Sequence, residues 1–358
     1  MDIPKTMKAA VLFGYRDLRV VDRPVPVPGP GEVLIKVNCC AICGTDLHLV
    51  DKPFPGQPPY GEFIPGHEYA GTIVALGETV DEYLIGERVA VEVHRGCGRC
   101  DNCIKGMYTA CLNYGNIAKG HRAWGFTVGG GYAEYALNHV NTLHKLPDHI
   151  SFEESTIITT AGTVLYGLET AKGYLVGQSV AIMGPGPIGL MAVQVCRALC
   201  ADQVFLIGTR ESRLALGRQF GADAVINVKN EDPVARVREL TGGWGVDLAI
   251  DCAGGSTTLN DCIRMVKKGH DVLLLTFYEG ETTANISEAV RNDTTIYTTR
   301  GEGLHNLARG ISLAKQGKLQ LAPLITHRFS LENIQEAFHV FRGRIGDAIK
   351  VLVQVEGR

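Results

Sequence analysis

The sequence predicts an α/β fold in two parts, a β-barrel-like part with long loops followed by a doubly wound parallel sheet covered on both faces. Three observations carry this expectation. The chain has 358 residues, more than one hydrophobic core usually supports, and its 45% hydrophobic content supplies two. Its first part holds short apolar or alternating runs between Gly and Pro clusters, the texture of a β-rich domain. Beyond Ser151, continuous apolar runs alternate with helical stretches, which requires a sheet buried on both faces.

In the first part the strand runs are VLIKV (33–37), GTIVAL (71–76), RVAVEV (88–93) and YAEYAL (132–137), punctuated by PVPVPGPGE and KPFPGQPPYGE. Ser151-Phe-Glu-Glu154 has capping-box spacing, so a helix is expected to start there. Strands SVAIMG, VFLIG, AVINV, VDLAIDCAG and DVLLLTF follow, with a helix between each pair. After TTIYTTR (294–300) and a helical stretch, the tail with KVLVQV (350–355) is expected to return to the first part. The expected domains are 1–152, 153–296 and a C-terminal segment 297–358 that joins the first.

A net charge of −3 marks the chain neither for nucleic acid nor for anionic membrane. The N-terminus MDIPKTMKAAVLFGYRD lacks the apolar core of a signal peptide, and no run reaches the ~18 apolar residues of a membrane span. The expectation is a cytoplasmic protein acting on a small molecule. Eleven cysteines, an odd number, then read as metal ligands and buried thiols rather than a disulfide framework.

Four of those cysteines, Cys97, Cys100, Cys103 and Cys111, form C-x2-C-x2-C-x7-C within a lobe at 94–112. That spacing suits one Zn²⁺ in a closed tetrahedral Cys₄ site, and four protein ligands leave no position for a substrate, so the metal is structural. Two disulfides, free buried thiols, or a redox switch that releases zinc on oxidation are the alternatives.

Strand SVAIM runs directly into Gly184-Pro-Gly186-Pro187-Ile188-Gly189 and then into the helical pattern LMAVQVCRALC. This is G-x-G-x-x-G in the setting that binds a dinucleotide pyrophosphate at a helix N-terminus. The next strand ends in Gly208-Thr209-Arg210, with Arg213 beyond, and lacks the acid that would hold a ribose 2′-hydroxyl. Asp251 belongs to a later strand and cannot replace it. Arg210 could pair with a 2′-phosphate, so NAD and NADP both stay open.

Upstream, Cys43-Gly-Thr45-Asp46-Leu-His48 and Gly66-His67-Glu68 offer a thiolate, an imidazole and a carboxylate, an incomplete ligand set for a second zinc. Incompleteness suits catalysis, because a substrate oxygen must reach the metal.

The segments CGTDLH, GHEYAG, GCGRCDNC, GPGPIG and LITHRFSLENIQEAFHVF resemble, over nearly the whole length, the medium-chain zinc-dependent alcohol and polyol dehydrogenase family, with threonine dehydrogenase-like and sorbitol dehydrogenase-like features. The resemblance implies a GroES-like β-barrel catalytic domain and a Rossmann cofactor domain, assembled as a homodimer or homotetramer. It implies an NAD(P)-dependent alcohol dehydrogenase with Cys43 and His67 as catalytic-zinc ligands and Glu68 as a near or exchangeable ligand. Thr45 would touch the substrate hydroxyl and start a proton relay, through a ribose hydroxyl, to His48. The implied substrate is a secondary alcohol or ketone, a polyol, cyclitol or sugar-derived alcohol, with a threonine-type amino alcohol as the alternative.

One departure matters. Where family members usually supply another zinc ligand, this chain aligns Thr160, a poor one. A dinucleotide-binding protein that has lost its active-site zinc is the rival expectation. Pocket walls come from scattered positions, among them Tyr114, Trp124, Thr160 and Glu302, and the sequence does not show which of them converge.

Overall fold

The structure, a computed structural model, describes residues 3–303 and 305–355. The chain divides into two compact units, Met1–Thr159 with Gly301–Ile311 and Leu321–Arg358, and Thr160–Arg300 with Ser312–Gln320.

In the first unit, strand Glu32–Ala41 is the hub of a seven-stranded sheet. One edge pairs antiparallel with Glu68–Leu76, while Tyr135–His139 and Lys350–Gln354 share the other. The register sets Ala41 opposite both Glu68 and Leu352. Those pairings bring His67, Glu68 and Lys350 to the end of the strand that leads into Cys43. Val33, Ile35, Val37, Ile73, Val89, Val351 and Val353 fill the core beneath, all essentially sealed from solvent. The run expected as a strand over 132–137 becomes one only at Tyr135–His139. Its first residues are occupied elsewhere: Tyr132 accepts from the Ala10 amide and Ala133 bridges to Ala9, both in the N-terminal strand Thr6–Leu12.

Helix Phe152–Thr170 starts where the capping box predicts. The Ser151 hydroxyl accepts from the Glu154 amide at 3.1 Å, and Glu154 accepts from the Ser151 amide at 3.1 Å.

The second unit carries six parallel strands in the order Ala224–Asn227, Gln203–Gly208, Ser179–Met183, Val246–Asp251, Val266–Leu274, Thr295–Thr298. Numbered along the chain, this is the 3-2-1-4-5-6 order of a doubly wound dinucleotide fold. The first strand, Ser179–Met183, is buried at every position, as a central parallel strand covered on both faces must be. Among the described residues no helix is long and apolar enough to cross a membrane.

Candidate active site and metal centres

Cys43 caps the helix Gly44–Asp51, and Asp46 in its first turn reaches back to accept from the Cys43 amide at 2.9 Å. The same carboxylate accepts from the Tyr132 hydroxyl at 2.9 Å, and its other oxygen faces His67 Nδ1 at 3.2 Å. Asp46 therefore fixes the thiol-bearing backbone and sets its charge beside His67 Nδ1, leaving His67 Nε2 for a ligand, the usual arrangement of a carboxylate behind a metal-binding histidine. Burial opposes charge on His67, but Asp46 and the Cys43 sulfur together hold its pKa well above the ordinary histidine value. Metal binding would displace that proton.

Gly66, just before His67, sits at φ +96°, and a Cβ there would meet the Tyr132 ring at 2.9 Å. Only glycine admits this close turn, which delivers the His67-Glu68 pair to Cys43. Ligand atoms of Cys43, His67 and Glu68 lie within 4.8 Å of one another, a spread that one metal ion can bridge. A thiolate, an imidazole and a carboxylate fit zinc, and three protein donors leave the fourth position open. Phe126 packs against the His67 ring at 4.7 Å between centroids and forms an apolar wall beside it.

Lys350 was not singled out by sequence. It is 2% exposed and donates to Glu68, which is 4% exposed, forming a buried ion pair across 282 residues of chain. Burial disfavours the ammonium, yet Glu68 and Cys43 raise its pKa, so Lys350 stays charged. Removing one partner of such a pair strands the other, so Lys350→Met should cost about 3–5 kcal/mol in urea unfolding. Adding Glu68→Gln should recover part of that loss, and additive losses would show that the two residues do not act as a pair.

The remaining candidates are each placed by their own element. Thr45 Oγ1 lies 3.6 Å from Cys43 Sγ, and His48, one helical turn further on, is exposed to solvent. Thr160 is buried on helix Phe152–Thr170 and offers only a hydroxyl. Trp124 is absorbed into the barrel core, while Tyr114 packs edge-on against Phe54 in the Phe126 cluster.

In the lobe, the Sγ atoms of Cys97, Cys100, Cys103 and Cys111 all lie within 4.8 Å of one another. Cys97 to Cys103 is 4.0 Å and Cys100 to Cys111 is 3.9 Å. Tetrahedral zinc with Zn–S of ~2.3 Å separates its sulfurs by about 3.8 Å, so the cage fits. The Asn113 side-chain amide donates to Cys97 Sγ at 3.2 Å, and with the amides of Arg99 and Cys100 it holds that thiol at about 6. Cys103 is pushed up to about 12 by burial and by its neighbouring sulfurs. A cation is what would let all four ionise together.

In the dinucleotide unit the three glycines do separate work. Gly184, at φ +99°, turns the chain against Ala253, and a Cβ on Gly189 would fall 1.9 Å from the Gly184 carbonyl oxygen. At Gly186, the N-cap of helix Pro187–Ala198, a Cβ would meet nothing within 4 Å, and no side chain caps the helix. Open space before uncapped amides suits a pyrophosphate. Pro187 and Ile188 in the first turn are half-buried, and the helix is buried from Gly189 to Cys196. Gly208 packs on Pro185, where a Cβ would stand 2.3 Å from its Cδ, which holds the second strand's end against the glycine turn. Beyond it Thr209 is exposed and Arg210 half-buried, whereas Arg213 is 7% exposed on helix Glu211–Gln219. Of the two arginines expected to meet the cofactor, Arg210 is the accessible one. Glu211, which sequence reasoning overlooked, accepts from Asn227 Nδ2.

Two zinc-fitting donor sets and a dinucleotide turn on one chain define a zinc-dependent, nicotinamide-linked oxidoreductase. An alcohol dehydrogenase GroES-like domain matches residues 29–148, and a zinc-binding dehydrogenase domain matches residues 187–316. The chain is 31% identical to sorbitol dehydrogenase of Bacillus subtilis (strain 168), over 98% of each protein. It is 35% identical to L-threonine 3-dehydrogenase of Pyrococcus horikoshii, over 93% of this chain and 94% of that one. The crystal structure of 2R,3R-butanediol dehydrogenase from Bacillus subtilis superposes with a TM-score of 0.87 at 27% identity, covering 98% of this chain and 100% of that one. The protein belongs to the zinc-binding alcohol dehydrogenase family. It is an NAD(P)-dependent oxidoreductase acting on an alcohol, with zinc as its metal.

Proposed function

We propose that this enzyme interconverts a secondary alcohol and its ketone, with a polyol, cyclitol or sugar-derived alcohol as substrate and a threonine-type amino alcohol as the second reading. The sorbitol and threonine enzymes among its relatives support these two classes. The convergence of Cys43, His67 and Glu68 with an open fourth position is the observation that carries the reading. When bound, zinc supplies a Lewis acid for the substrate oxygen and the nicotinamide supplies the hydride acceptor.

The chain's own residues do the rest. Cys43, His67 and Glu68 hold the metal, and Asp46 keeps the first two in place. Thr45 would receive the substrate hydroxyl's proton while giving up its own, and the relay would end at His48, exposed on the same helix, which would release a proton to water. Oxidation removes a hydride from carbon and a proton from oxygen, giving ketone, reduced cofactor and H⁺. Cys97, Cys100, Cys103 and Cys111 hold a structural zinc.

Gly184, Gly186, Pro187, Ile188 and Gly189 cradle the pyrophosphate. Gly208 and Thr209 border the ribose, and Arg210 pairs with a 2′-phosphate when the cofactor is NADP. Arg210→Ala should raise the KM for NADP about 10–100-fold and leave that for NAD nearly unchanged, as loss of a charged phosphate contact predicts. Equal effects on both cofactors would remove Arg210 from this role.

The enzyme is cytoplasmic and works as a homodimer or homotetramer. The edge strand Thr295–Thr298, with Phe277 and Val290 exposed in the same unit, offers a pairing surface for a second copy. The test of function is a panel of polyols, cyclitols and amino alcohols with NAD and with NADP, read as nicotinamide absorbance. Zinc-loaded protein that turns over none of them contradicts the reading.

A further inference from the structure

We propose that Glu302 is a specificity-determining residue whose carboxylate receives a cationic amino group carried by the alcohol substrate. This rests on the alcohol dehydrogenase reading above and selects within it.

Glu302 is 3% exposed, and its Oε2 has no hydrogen-bond partner in the protein. A buried carboxylate without a partner is costly, and such groups are ordinarily paired. Among the described residues none hydrogen-bonds that oxygen. Glu92, also buried, accepts from the Tyr108 hydroxyl and from His144 Nε2 at 3.2 Å, so it adds negative potential beside Glu302 while being satisfied itself. Lys350 is committed to Glu68. Burial, and then Glu92, push the Glu302 carboxyl up to about 8, with His67 pulling the other way. An arriving ammonium would reverse that push and supply both a hydrogen bond and the compensating charge. A neutral hydroxyl supplies only the hydrogen bond.

The position suits a substrate whose reacting carbon lies at the zinc site. Gly301, next to Glu302, stands so close to His94 that a Cβ would lie 3.1 Å from its Nδ1. The His94 ring stacks on Phe126 at 6.0 Å, and Phe126 packs on His67 at 4.7 Å. Gly301, the residue before Glu302, and the ligand His67 therefore meet the same His94–Phe126 wall within the first unit. The stretch is also buttressed, because the Tyr108 hydroxyl accepts from the His305 amide at 3.3 Å. Glu302 is thus held in place without its Oε2 being used.

The test uses two matched pairs, D-glucitol with 1-amino-1-deoxy-D-glucitol and 2,3-butanediol with 3-aminobutan-2-ol, on zinc-loaded wild type and Glu302→Gln at neutral pH. In at least one pair the wild type should prefer the amine by about tenfold or more in kcat/KM, since the ammonium gives the ionised carboxylate a charge-assisted hydrogen bond that a hydroxyl does not. Glu302→Gln should erase that preference by raising the amine's KM about tenfold, with a smaller change in the KM of its hydroxyl partner. Equal losses on both members of a pair, or a preference that survives the substitution, overturn the inference while the dehydrogenase reading stands. A wild type that oxidises no member of either pair overturns that reading and this inference with it. Independently of any variant, the amines should raise the wild-type melting temperature more than their hydroxyl partners do, and equal shifts count against the proposal.

Discussion

Cys43→Ala should lower turnover by about 10³-fold or more, because Lewis-acid stabilisation worth several kcal/mol is lost and each ~1.4 kcal/mol is a factor of ten. Zinc content should fall by about one ion per chain as the three-donor set loses its sulfur. The fold should persist. Cys43 is half-buried, and the backbone amide that Asp46 caps is untouched by the substitution. Unfolding midpoints measured in metal-free buffer should agree with wild type within about 2 °C. A variant with wild-type turnover would place the chemistry elsewhere.

Cys100→Ala should do the opposite kind of damage. The Cys₄ cage draws its ligands from a short lobe with little regular structure, a four-residue helix Asp101–Ile104 and a 3-10 turn Tyr108–Ala110. Zinc binding in such small elements contributes an apparent ~10–16 kcal/mol and is inseparable from their folding. Loss of one ligand should remove the second zinc and lower the melting temperature by about 10 °C or reduce soluble yield. Activity should then fall as a consequence of lost structure. Equal loss of solubility in Cys43→Ala and Cys100→Ala would contradict this division of labour between the two metals.

Signals confined to consecutive residues were legible in the sequence. The parallel strands, the Ser151 capping box, the glycine turn at Gly184 to Gly189 and the four-cysteine spacing each depend on neighbours only a few positions apart. The partners of the catalytic trio were less legible, because strand register creates them. Glu68 and Lys350 meet only because both strands pair with the end of Glu32–Ala41, and a lysine opening the apolar run KVLVQV gave the one hint that its charge needed a buried mate. Asp46 stands between these two cases. Its capping bond to Cys43 was implicit in the three-residue spacing, but its contacts with His67 and Tyr132 were not. The sequence did not show which of Arg210 and Arg213 stays accessible. The helix starting at Glu211 turns Arg213 inward and leaves Arg210 accessible.

The account stands on a zinc ion seated at Cys43, His67 and Glu68. Crystals of active protein, measured on both sides of the zinc absorption edge, address it directly. Two anomalous peaks per chain are predicted, one inside the Cys97 to Cys111 cage and one at bonding distance from Cys43 Sγ and His67 Nε2. A single peak in the cage, from protein that still oxidises its alcohol at full rate, would contradict the mechanism.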